Sequence, residues 1–271
     1  GFYRTEVYVH ECRMGGGKIH NPCVNQSLFE TTVYGEDVFL GFMHIEKLES
    51  RIANFIPEER EKNGDYISLE NFIKRVPVGI ETLQTLIFFF FFRFTGKPKN
   101  ELLIEARLLM IHFKPEYRLP TFFETPVQEY ELPTLKRNRF EDAFDEIEIL
   151  GFSVSCSPFD LLQTKYRSII MARHLPKYHK RQVRMLAYLI SRKHVPTKKG
   201  TMFFGTWIDA EGNFFDTAHF PDNLQQYPFQ GGGCYLLLGM VEVDFHFPTI
   251  TIFKMAKMPF IPDPRYAEDQ E

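Results

Sequence analysis

Between Asp160 and Asp209 the chain has no acidic residue, and the same interval carries Lys165, Arg167, Arg173, Lys177, Lys180, Arg181, Arg184, Arg192, Lys193, Lys198 and Lys199. Ammonium and guanidinium groups gathered without competing carboxylates offer what a phosphate backbone needs. Aromatic residues follow closely: Phe203, Phe204, Trp207, Phe214 and Phe215. Flat rings stack on unpaired bases, each contact contributing roughly 1–3 kcal/mol. From the two sets we take Arg184, Arg192, Lys193, Lys198, Lys199, Phe204, Trp207 and Phe214 as candidate nucleic-acid contacts. A Phe in a small barrel is also ordinary core, so each ring has a second, structural reading. No catalytic residue and no metal ligand is assigned.

The elements that must position these groups are β-strands. Val183 to Val195 (VRMLAYLISRKHV) is apolar and β-rich and runs into the basic turn Pro196-Thr197-Lys198-Lys199-Gly200. Thr201 to Ile208, Phe214 to Phe220, Cys234 to Val243 and Thr249 to Lys254 complete a set of five such runs with turn residues between them. That number and spacing predict a five-stranded Greek-key barrel of the oligonucleotide-binding (OB) kind. Alternation puts Met202, Phe204, Thr206 and Ile208 on one face and Phe203, Gly205 and Trp207 on the other. Both faces carry aromatics, so periodicity leaves open which one meets a ligand.

Upstream the period changes to that of helices. Tyr3 to Met14 carries a weak apolar stripe that Gly15-Gly16-Gly17 ends. No GK[ST] follows those glycines, so they read as a helix stop rather than a phosphate cradle. Ile19 to Ser27 reads as an extended loop, and Thr32 to Gly41 as a hairpin. His44 to Arg60 predicts a helix pair broken at Pro57. Ser68 caps a helix over Leu69, Phe72, Ile73 and Val76, and Glu81 to Phe89 and Leu102 to Phe113 predict two more. Short helices joined by tight turns build helix-hairpin-helix modules, which hold DNA backbone through hairpin amides. The stretch 114–139, rich in Pro, Thr and charge, reads as a linker. Glu141, Asp142, Asp145, Glu146 and Glu148 crowd one short helix as a solvated face. The expected fold class is therefore α+β, a mainly α helix-hairpin-helix region followed by the barrel.

Composition is that of an ordinary globular protein, with 44% hydrophobic and 25% charged residues and a net charge of −3 over 271 residues. Phenylalanine is unusually common at 29 residues. Cys12, Cys23, Cys156 and Cys234 are scattered without a CxxC pair, which points to reduced thiols in a cytoplasmic setting rather than a zinc site. Leu86 to Phe92 is the longest apolar run, far below the ~20 residues a membrane helix requires. It is an aggregation hazard if exposed.

Several stretches resemble the C-terminal part of the alpha subunit of bacterial DNA polymerase III, the C-family replicative polymerases. They are GFYRTEVYVHECRMGGGKIHNPCVNQS, EEREKNGDYISLENFIKRVP, FEDAFDEIEILGFSVSCSPFDL, TKKGTMFFGTWIDAEGNFFDTAHFP and GGGCYLLLGMVEVDF, in the family's order. The resemblance implies the tail of the fingers region over 1–41, a helix-hairpin-helix module over 42–113, a linker and helical connection over 114–166, and the OB barrel over 167–271. It also implies that Phe204, standing before Asp209, is the ligand-facing Phe of the barrel. Two departures stand out: Lys47 and Glu49 bracket Leu48 where the family has glycines, and Phe88 to Phe92 replace an apolar-Gly-Ala-Phe ending. Non-Gly residues resist close backbone approach to phosphate.

The implied function is the DNA-binding C-terminal part of a replicative DNA-directed DNA polymerase, a nucleotidyltransferase. The alternative is a free-standing single-strand-binding accessory protein. Two-metal nucleotidyl transfer needs close carboxylates on rigid strands, which the family holds in its palm. No segment here offers them, so this chain alone is expected to be inactive. No cofactor is expected in this chain, and Mg2+ is expected in the parent polymerase. Partners implied are single-stranded and duplex DNA and other replicase subunits, with no membrane. The opening GFYRTE lacks an initiating Met, so a piece of a longer chain is expected.

Overall fold

The computed structural model describes residues 4–45, 48–113, 138 and 140–266. The chain divides into two compact units, residues 17–155 and residues 1–16 with 156–271. Most of the expected linker, 114–137, lies outside the described residues.

The unit 17–155 begins with a small sheet of order β1-β3-β2, from β1 (Lys18–His20), β2 (Thr32–Tyr34) and β3 (Asp37–Phe39). β2 and β3 form the anticipated hairpin, and β1 joins β3 in parallel. A three-residue strand is too short to show a period of two, which is why Ile19 and His20 read as part of a loop. Helices follow: α2 (Ser50–Asn63), α3 (Leu69–Arg75), α4 (Ile80–Phe88), α5 (Lys99–Phe113) and α6 (Glu141–Leu150). Ser68 caps α3, its side chain accepting from the Asn71 N–H at 3.0 Å.

Two local expectations are corrected in this unit, and the phenylalanine run, a hazard only if exposed, is placed. α2 runs through Pro57 without a break. A mid-helix proline costs about 3 kcal/mol, but Ile52, Ala53 and Ile56 are buried on the same helix, and their packing outweighs it. The phenylalanine run is core rather than exposed surface, since Phe89, Phe90, Phe91 and Phe92 are all buried. Phe91 stacks on Phe42 at 5.1 Å and Phe92 meets Phe72 edge-on at 4.9 Å. Finally, the acidic face of α6 is not uniformly solvated, because Asp145 and Glu146 are 2% and 3% exposed. Asp145 pairs with Lys99, and Glu146 accepts from the Asn21 amide and from the N–H groups of Val154 (2.6 Å) and Ser155 (2.8 Å). Buried carboxylates persist where such donors satisfy them.

In the other unit α1 (Thr5–Met14) ends at Gly15 and Gly16, the stop its glycines predicted. The strands are β4 (Gln182–Thr197), β5 (Gly200–Ile208), β6 (Phe214–His219), β7 (Gly233–Asp244) and β8 (Phe247–Lys257). They close into a barrel of order β4-β5-β6-β8-β7, with the β6–β8 pairing parallel. This is the predicted five-stranded barrel. One helix was not anticipated: α7 (Pro221–Gln226) lies in the connection between β6 and β7, with Pro221 at its first turn. The core gathers Trp207, Tyr235, Met185, Ala187, Leu237, Val241 and Ile250. Alongside, the Tyr188 hydroxyl donates to Glu6 Oε1 at 2.7 Å, and burial together with that carboxylate raises the Tyr188 pKa.

Candidate nucleic-acid interface

The barrel extends an arm. β4 pairs with β7 only from Gln182 to Leu189, but its pairing with β5 continues to Thr197↔Gly200. Residues 191–197 of β4 and 200–202 of β5 thus reach beyond the strands that close the barrel, with Lys198 and Lys199 in the turn. Gly200 takes a φ of 124°, which a side chain would resist. The β4–β5 register shifts between Leu189 and Ser191. A bulge reassigns every later side chain to the opposite partner row, and here it sets which residues share a face.

Lys193 lies directly opposite Phe204, and Arg192 directly opposite Gly205. Phe204 is 43% exposed, so the Lys193/Phe204 row presents a ring and a cation together. Gly205 is required on the other row, since a Cβ there would stand 2.5 Å from Trp207 Nε1 and 2.9 Å from Thr217 Oγ1. On this row the Arg192 guanidinium lies 5.6 Å from the Phe203 ring and 5.1 Å from the Phe229 ring. A stacked guanidinium keeps its in-plane N–H donors free to meet phosphate oxygens.

Trp207 corrects the sequence reading. It is fully buried (0% exposed), its Nε1–H donating to Thr217 Oγ1 at 2.7 Å, and it packs against Phe229 and Tyr235. Its ring is core and offers no face to a base. Phe214 is half-buried against the cluster of Leu186, Tyr188 and Ile208. Arg184 sits on the barrel-closing part of β4, opposite Leu238, with its guanidinium 5.6 Å from the Tyr166 ring. The arm therefore brings together Arg192, Lys193, Lys198, Lys199 and Phe204, and it does not include Arg184, Trp207 or Phe214.

Other cations of the acid-free interval do structural work. Arg173 pairs with Glu211 at 2.9 Å, and Arg167 donates to the carbonyls of Thr164 and Tyr166. Asp209, which ends the interval, is buried and accepts from the N–H groups of Ala172, Glu211 and Asn213, so it fixes the β5–β6 turn. Sequence reading missed Phe229 and His219, which pack with Trp207 behind Arg192. Burial pushes the His219 pKa down to about 4, so the ring is neutral near pH 7, and its Nε2 is hydrogen-bonded to the Thr217 hydroxyl at 2.7 Å. Phe229 lies in a loop before Gly231-Gly232-Gly233, where no periodicity marks it.

Among the described residues no three or more His, Cys, Asp or Glu side chains converge as a metal site would need. No helix among these residues is long and apolar enough to cross a membrane.

Residues 16–102 match a family model described as a helix-hairpin-helix motif. Over 244 residues, 83% of its length, the chain is 26% identical to DNA polymerase III subunit alpha of Borreliella burgdorferi, of which it covers 21%. The chain is thus similar to DNA polymerase III alpha subunits over most of its length. That similarity, the helix-hairpin-helix match and the closed five-stranded barrel agree with what the ordered motifs of the sequence implied. It is also 33% identical over 88 residues to the error-prone DNA polymerase of Mycobacterium tuberculosis H37Rv, covering 32% of this chain and 8% of that protein. The chain thus spans only a minor part of these curated relatives. Among solved structures, the second OB-fold domain of replication protein A from Methanococcus maripaludis is 11% identical over 31% of this chain and 87% of that one, at a TM-score of 0.22. The barrel assignment rests instead on the closed strand order of this chain.

Proposed function

We propose that this chain is the DNA-holding C-terminal part of a DNA-directed DNA polymerase, and that the β4–β5 arm takes single-stranded template. The observation that carries this reading is the cross-strand pair of Lys193 with the exposed ring of Phe204, on an arm tipped by Lys198 and Lys199. Lysines at such positions neutralise phosphates, while a half-exposed ring gives a base somewhere to stack. Arg192, held by Phe203 and Phe229, supplies a rigid donor on the opposite row.

Template-directed nucleotide addition, its Mg2+ and contacts with other replicase subunits belong to the longer protein of which this would be one part. Duplex binding is assigned to the helix-hairpin-helix unit through its family match. One feature at each hairpin weakens that grip. Glu49 is exposed and would repel phosphate, and Lys47 lies outside the described residues. At the second, Phe90 stands in the left-handed region at φ 65°, within the phenylalanine run that replaces the apolar-Gly-Ala-Phe ending.

Titrating the whole chain against labelled single-stranded and duplex oligonucleotides of one length tests the reading. Tighter binding to the single strand, weakening steeply with salt, is the expected outcome. Equal and salt-insensitive binding to both, or none to either, would contradict it.

A further inference from the structure

The helical unit has a cleft of about 810 Å³ between α2 and residues 28–30. Successive turns of α2 present Asn54, Pro57, Glu58 and Glu61 to it, at the spacing that keeps side chains on one face of a helix. Asp65 stands beyond the helix end, and Leu28, Phe29 and Glu30 form the facing wall.

That wall is fixed by the fold itself. The Phe42 N–H donates to Leu28 O at 3.0 Å, and the Met43 N–H to Phe29 O at 2.9 Å. From α2 the Arg60 Nη1 donates to Val24 O at 2.6 Å and to Ser27 O at 3.1 Å, tying the loop before the wall to the helix. Gly41 packs directly behind it, where a Cβ would stand 2.5 Å from Phe29 O and from Thr31 N. Binding clefts are usually pre-formed in this way.

The lining is apolar in the middle and acidic around it. Leu28 is 39% exposed and belongs to none of the hydrophobic clusters, so its side chain gives the core little. Pro57 adds an apolar ring from the helix. Around them Glu30, Glu58, Glu61 and Asp65 have no ion-pair partner among the described residues. Arg60 is the only cation among the described lining residues, and its guanidinium is turned to the backbone carbonyls.

Charge decides between occupants. Phosphates would be repelled by these carboxylates, so a nucleic acid does not fit. The carboxylates do not converge as a metal site would need. Lysine and arginine side chains match both parts of the lining. Their methylene stems lie along apolar surface while the charged heads reach outward, here over Leu28 and Pro57 towards the carboxylates. From Asn54 to Glu61 α2 rises about 10 Å, enough for two such side chains on successive turns of a partner helix.

We propose that this cleft docks a segment of another protein in which basic residues are interspersed with apolar ones. The proposal is independent of the β4–β5 arm.

The test uses the whole chain and a labelled peptide of Lys-Lys-Leu-Leu repeats, about ten residues or some 15 Å as a helix. E58Q/E61Q removes two exposed charges that hold no described ion pair, so its Tm should stay at the wild-type value. Peptide binding is expected to fall on the order of tenfold, as for two exposed ion pairs, and to depend less on salt. L28A weakens it about threefold through lost apolar contact. D222N/E242Q removes two exposed carboxylates from the barrel unit and leaves binding unchanged. Wild-type binding no tighter than that of E58Q/E61Q, or an equal loss in D222N/E242Q, overturns the proposal. So does equal binding of a peptide with serine in place of leucine, which would leave the apolar floor without a part. Mn2+ binding that E58Q/E61Q abolishes while the peptide still binds would make the cleft a cation site instead. Single-strand binding by E58Q/E61Q should match wild type, so failure here leaves the arm reading standing.

Discussion

In the helical unit Phe88 to Phe92 run unbroken, and the last four rings are buried in its core. On the arm of the barrel unit Phe203 and Phe204 stand side by side and separate onto opposite faces, one packed beneath Arg192 and the other exposed opposite Lys193. The same residue type is scaffold in one region and presented surface in the other. Backbone geometry decides between them. After α4 a turn through the left-handed Phe90 folds successive rings back into one core, whereas a strand turns every second side chain outward. Aromatic content therefore says little about binding until the register is known.

The comparison breaks most visibly if a buried ring is removed. Phe92→Ala should destabilise the helical unit by about 3–5 kcal/mol, because the cavity left against Phe72 adds to the lost transfer energy. Denaturant unfolding measures it, and a cost below about 1 kcal/mol would mean that the ring is not core. A pH titration probes the barrel's counterpart. His219 is held near a pKa of about 4 when folded, against 6.5 for an ordinary imidazole. The unfolded chain thus binds the proton more readily between these values. Stability from His219 is fully present above pH ~6.5 and is lost as the pH falls through about 4, up to roughly 3 kcal/mol. Unfolding midpoints from pH 7 to 4 should show this slope, and His219→Gln should flatten it.

Smaller in energy, and aimed at the presented ring, is Phe204→Ala. It should weaken single-strand binding by about 1–3 kcal/mol while leaving the salt slope and the unfolding midpoint close to wild type. Unfolding of the barrel instead would make Phe204 core and erase the contrast with Phe92.

The strands were legible because each is a β-rich run bounded by turn residues, and the five read from sequence fall within or within one residue of β4 to β8. The assignment of faces was not. It depends on the bulge between Leu189 and Ser191 and on Gly205 leaving room for the Trp207 indole, neither of which leaves a periodic trace. Trp207 was misread for that reason. The burial of Asp145 was equally hidden, since its partner Lys99 lies far away in sequence. Pro57 misled because propensity is local while the packing of Ile52 and Ile56 is not. Arg192, Lys193, Lys198, Lys199 and Phe204 come together because one hairpin carries all five.

The central claim is that the arm's lysines meet phosphates. The direct measurement is the slope of log K against log salt for single-strand binding by wild type and K198A/K199A. Each phosphate contact on a single strand contributes about 0.7 to that slope. The account predicts a slope shallower by about 1.4 in the variant, for every sequence tested. An unchanged slope would contradict it.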